Sequence, residues 1–138
     1  MDEFCQGLDD MTAGLAQAIH DAVQQGDKAV TMSFGAYNNT KSALRYRDQG
    51  VIKYALTSTV RGLSFHSMVM YSNDETLRFA RARLTGVRLQ KGCFTITAPG
   101  AFDLPGFRDF IGCNARQNFQ PVIERYARRA RRKTLAAQ

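Results

Sequence analysis

The chain lacks the residue groupings that most often announce chemistry. It has 138 residues, with only two histidines, His20 and His66, and three cysteines, Cys5, Cys93 and Cys113. No His-x-His or Cys-x-x-Cys spacing occurs, so no metal-ligand pattern is written into it. Nothing supplies a recognisable base–nucleophile pair. No stretch approaches the roughly 18 apolar residues of a membrane helix, which argues against integral membrane association. The start, Met1-Asp2-Glu3, is acidic with no apolar run behind it, unlike a usual signal peptide. An odd cysteine count without such a signal is the pattern of reduced thiols, and a cytoplasmic location is expected. Internal repeats and low-complexity tracts are absent as well.

Positive charge is missing from the head. Residues 1–27 carry Asp2, Glu3, Asp9, Asp10, Asp21 and Asp27 and no Lys or Arg. Residues 116–138 reverse this, with Arg116, Arg125, Arg128, Arg129, Arg131, Arg132 and Lys133 against Glu124 alone. The net charge of +7 therefore averages an acidic head with a basic remainder, and does not describe a uniform surface.

What is present is an ordinary globular core. The hydrophobic fraction of 44% suits one domain. Leu8, Met11, Leu15, Ile19, Ala22 and Val23 recur at helical spacing and predict a helix over about 3–25, ended by Gly26 and weakened by Gly7 and Gly14. Ala29 to Phe34 reads as a strand and 35–41 as a loop. Ser42–Arg47, the three-residue loop Asp48-Gln49-Gly50 and Val51–Thr57 read as a hairpin, Arg47 pairing with Val51. That register gathers Leu44, Tyr46, Ile52, Tyr54 and Leu56 on one face and opposes Arg45 to Lys53. Leu63–Tyr71 reads as a central strand, apolar on both faces. Ser72 and Glu75 have capping-box spacing for a helix to about Leu84. Val87–Ala98 reads as a strand bent at Gly92. Asp103 is placed to cap a helix carrying Leu104, Phe107, Phe110 and Ile111. A linker follows at 112–118. Phe119, Val122, Ile123, Tyr126, Ala127 and Ala130 then predict a last helix to about Lys133.

Over about residues 8–113 the pattern resembles the YdhG-like domain family, small bacterial proteins mostly of unknown function. The resemblance rests on Leu63-Ser-Phe-His-Ser-Met68, the capped helix, Gly86-Val-Arg-Leu-Gln-Lys-Gly-Cys-Phe94 and a final helix, with Met32-Ser-Phe-Gly35 as a second segment. It departs where Ala36-Tyr37-Asn38 lacks the proline usual near that turn, and where the basic helix extends the pattern. The resemblance implies an antiparallel sheet with helices packed on it. One member of the family has been proposed as a frataxin-like iron chaperone. The expected fold is thus α+β, a single domain with a mainly antiparallel sheet of about five strands and N-terminal, middle and C-terminal helices packed on it. Residues 1–118 form the YdhG-like part and 119–138 a basic helical extension.

Three kinds of function remain open. The first is a binding protein, non-enzymatic, that engages an anionic or macromolecular partner. Its residues would be Arg45, Arg47 and Lys53 on the hairpin and Arg125, Arg128, Arg129, Arg131, Arg132 and Lys133 on the last helix. Arg forks suit phosphate, and a basic helix attracts nucleic acid or another anionic surface. No recognised nucleic-acid-reading motif accompanies them. The apolar stripe of that helix could equally dock on a protein partner or a second copy in a homodimer. The second class is iron handling through Asp9 and Asp10, with no other cofactor implied; these two point in different directions on a helix. The third is an enzyme of unknown reaction near His66 and Cys93. Against it, His66 sits among apolar positions as a core histidine would. Cys93, beside Lys91, has no base in view.

Overall fold

The computed structural model describes residues 1–137; Gln138, the last residue of the extension, lies outside them. The expected α+β class is what is found. Six strands form one antiparallel sheet in the order β1-β2-β3-β4-β6-β5. They are β1 (Thr31–Tyr37), β2 (Thr40–Asp48), β3 (Val51–Thr59), β4 (Gly62–Ser67), β5 (Val87–Leu89) and β6 (Cys93–Ile96). The helices are α1 (Asp2–Cys5), α2 (Asp10–Gly26), α3 (Met68–Ser72), α4 (Asp74–Arg83), α5 (Leu104–Arg116) and α6 (Gln120–Ala137).

One sheet face is the core. Tyr46, Tyr54, Leu56, Phe65, Phe94 and Ile96 project from it against Ile19 and Val23 of α2, Leu77 and Ala80 of α4, and Phe107, Phe110 and Ile111 of α5. The Phe65 and Phe107 rings meet edge to face at 4.9 Å, the arrangement aromatic quadrupoles favour. Ion pairs of 3.0 Å from Arg83 to Asp103 and to Asp109 join α4 to α5. Asp103 also caps α5 as expected, its carboxylate accepting from the Gly106 N–H at 2.9 Å.

The structure corrects several boundaries. The first helix is two: Gly7 turns the chain at φ +80°, and Asp9 then caps α2 by accepting from the Thr12 N–H at 2.7 Å. Met11 is exposed, so the buried stripe runs through Ala16, Ile19, Ala22 and Val23. Gly26 is the last helical residue and Asp27 the cap. The first strand continues through the expected loop to Tyr37. The second hairpin turns on two residues, with Asp48 paired to Val51. Gln49 and Gly50 both have positive φ, which matches strand twist. The strand expected over 63–71 stops at Ser67 and becomes α3. Asn73, rather than Ser72, caps α4 by accepting from the Thr76 N–H at 3.1 Å. Residues 87–98 are not one bent strand but a hairpin around Gln90-Lys91-Gly92, Val87 pairing with Ile96, hence the sixth strand. The 112–118 linker shrinks because α5 runs to Arg116.

Candidate functional site

The second sheet face has a different chemistry. In register across it lie Ser33, Arg45, Ala55, His66 and Cys93, and beside them Gly35, Ala43, Thr57, Ser64, Thr95 and Arg88. Small and polar residues alternate here with the large apolar ones that face the core, the period of two that a pleated strand imposes. The result is a floor low enough to leave space above it.

α6 roofs that space. Its start anchors it: Phe119, just before the helix, and Val122 and Ile123 in its first turn pack with Val69 of α3 and the partly buried Val51 and Met68. The next inward positions are not apolar. Arg125, Tyr126 and Arg129 overhang a cleft of about 800 Å³ whose other walls include Tyr37, His66, Tyr71, Lys91 and Cys93. A smaller lobe of about 350 Å³ continues past Tyr37 and Tyr126 to Arg47, Val51 and Ile52. Arg47, Lys91, Arg125 and Arg129 line the two lobes, and no carboxylate does.

Aromatic rings hold two of these charges in place. Lys91 Nζ sits 4.9 Å from the Tyr71 ring centre, and the Arg129 guanidinium 5.5 Å from that of Tyr126, both cation–π distances. Arg47 donates to Ser33 Oγ at 2.9 Å. On the floor, His66 Nε2 shares a 3.1 Å hydrogen bond with Thr57 Oγ1, and the Tyr37 ring meets the imidazole edge-on at 5.0 Å. Burial lowers the His66 pKa and raises that of Cys93, so at neutral pH the imidazole is uncharged and the thiol keeps its proton. Burial likewise raises the Tyr37 pKa, with Tyr126 and Cys93 adding to it. Cys93 donates to Gln90 Oε1 at 3.3 Å. A neutral imidazole and a protonated thiol offer hydrogen bonds to a ligand, not an activated nucleophile.

The other expected site residues fall outside the cleft. Lys53 does not oppose Arg45, which faces Ala55. A bulge after Tyr46 leaves Lys53 without a partner across the strands. Its ammonium is buried 2.8 Å from Asp27, which also accepts from the Tyr54 hydroxyl at 2.7 Å. Lys53 is thus a structural cation, and sequence spacing could not show it because the bulge decides its direction. Arg45 lies flat on Gly35 and donates to the Phe34 and Ala36 carbonyls at 3.3 Å. Arg128, Arg131, Arg132 and Lys133 are exposed on α6 beyond the cleft. Asp9 is spent as a helix cap and Asp10 follows it, exposed. Among the described residues, no three His, Cys, Asp or Glu side chains gather as metal ligands would. His20, on α2, hydrogen-bonds the Tyr46 hydroxyl at 2.9 Å. Tyr37, Tyr71 and Tyr126 were not singled out as a site by sequence reasoning. They lie far apart in the chain, and only the hairpin turn and the α6 crossing bring them together.

No known family model, curated protein sequence or solved structure matches this chain. Among the described residues no helix is long and apolar enough to cross a membrane.

Proposed function

We propose that this protein is a binding protein for single-stranded nucleic acid, held in the cleft and along the exposed side of α6. The observation that carries this reading is the composition of the cleft: four cations and three tyrosines, with no carboxylate, above the neutral His66 and Cys93. Single strands are bound by such pairings, cations for the phosphates and π-faces for the bases. α6 continues the charge. Arg125, Arg128, Arg129 and Arg132 follow helical spacing down one side, and residues 124–136 are all exposed. The YdhG-like kinship stays a proposal beside this one and rests on the motifs between Gly62 and Gly112.

The test is the salt dependence of binding to a single-stranded oligonucleotide. Each phosphate contact adds about 0.7 to the log–log slope. Replacing Arg128, Arg131, Arg132 and Lys133 together by Gln is expected to flatten that slope by up to about 3. A steep slope left unchanged in that variant would remove α6 from the interface.

A further inference from the structure

We propose that the cleft beneath α6 receives one unstacked base together with its phosphate, so that the protein grips a nucleotide and not only a line of charge. This rests on the nucleic-acid reading above and goes further in assigning the two lobes separate tasks. The larger lobe is cationic, through Lys91, Arg125 and Arg129. The smaller is lined by Val51 and Ile52, with Arg47 as its one cation and Met68 shared with the larger lobe. Tyr37 and Tyr126 belong to both, where a planar ring would stand between the apolar end and the charged one.

A nucleotide has that same polarity, a flat weakly polar base at one end and a dianionic or diester phosphate at the other. Aromatic faces stack any base, which places the base between Tyr37 and Tyr126 and its phosphate on the arginines. The larger lobe alone, about 800 Å³, is within the usual size of sites that enclose small ligands, roughly 300–1,000 Å³. A paired base could not enter, because its edge and both faces are already occupied within a duplex. The cations are also held ready: stacking on Tyr71 and Tyr126 keeps Lys91 and Arg129 at the mouth before any ligand arrives. Neutral His66 and the Asn38 and Gln90 amides supply donors and acceptors for a base edge without repelling it.

The experiment compares three labelled probes of equal charge by fluorescence anisotropy: a single-stranded oligoribonucleotide, its duplex, and a linear polyphosphate. Tyr126→Ala removes a stacking face from an exposed position, and circular dichroism checks that the fold is kept. The expected result is that single strand binds best, and that Tyr126→Ala weakens it about tenfold but weakens polyphosphate, which feels only the release of Arg129 from the Tyr126 ring, by no more than about twofold. Uridine monophosphate should also shift the Tyr37 and Tyr126 ring resonances in an NMR titration. If all three probes bind alike and Tyr126→Ala alters none, the base-binding cleft is overturned while electrostatic binding by α6 survives. If no probe binds, both readings fall.

Discussion

Asp27 is the residue on which most of the fold's unusual chemistry converges. Its backbone N–H closes α2 on the Val23 carbonyl, its Oδ1 accepts from the Ala29 N–H, and its Oδ2 meets both Lys53 and Tyr54. A buried pair adds little net stability when intact, yet is costly to break from one side. Asp27→Ala should therefore cost about 3–5 kcal/mol in urea unfolding, whereas Tyr54→Phe should cost about 1 kcal/mol. The Tyr54 pKa is raised, by burial first and then by Asp27, so its hydroxyl donates across the ordinary pH range. The two histidines set a different dependence. Burial lowers the pKa of both His20 and His66. The unfolded chain then takes up protons first, near pH ~6.5. Their contribution is complete above that value and is lost as pH falls through the lower folded values. Unfolding midpoints should drop between pH 7.5 and pH 5, and less so in His20→Gln/His66→Gln. An equal drop in that variant would assign the effect to other groups.

At the scale of elements, close approach of α2 to α5 and the shallow seat of α6 are the features that mutation can separate. A Cβ on Gly26 would come within 2.7 Å of Ile111 Cγ2. Gly26→Ala is expected to destabilise by about 1–3 kcal/mol through overpacking, although alanine is the better helix former by about 1 kcal/mol. A gain in thermal midpoint would mean that Ile111 simply yields. α6 is held by its first turns alone, so Ile123→Ala should cost about 2 kcal/mol and weaken nucleic-acid binding as well. Leu135→Ala, at an exposed position, should change neither. The strand-to-helix switch between β4 and α3 depends on Ser67. Its hydroxyl accepts from the Met70 N–H at 3.0 Å and donates to Asn114 Oδ1 at 2.6 Å, and Asn114 in turn donates to the Phe110 carbonyl at 2.6 Å. The apolar alternation through Met68, Val69 and Met70 looked like continued strand because short apolar runs do not distinguish strand from helix. A buried serine and asparagine 47 residues apart in sequence decide it.

For the whole molecule, charge is segregated as the chain order suggested: acid at α1 and the start of α2, base along α6. That much, with the α+β class, the capped α5 and the apolar stripe of α6, was legible in local pattern, because caps, turns and periodicity act over a few residues. The alternation in β2, β3 and β4 also placed Leu44, Tyr46, Tyr54, Leu56 and Phe65 in the core, since a period of two survives a register error of two; Ile52, expected with them, lies on the turn side of the bulge, opposite Arg47, and lines the cleft instead. The register itself was not legible. The Gln49-Gly50 turn and the bulge at Lys53 moved Lys53 from a supposed anion site to a buried ion pair. Nor could the sequence show that Tyr37, His66, Cys93 and Tyr126 meet. Chain order determined what kinds of side chain were available: cations at one end, tyrosines scattered, no clustered carboxylates near them. Only the tertiary structure decided that α6 would cross the polar sheet face and enclose a cleft there. The reason is physical: which face a helix covers depends on long-range burial of Phe119, Val122 and Ile123 against Val69, and no local preference encodes that contact.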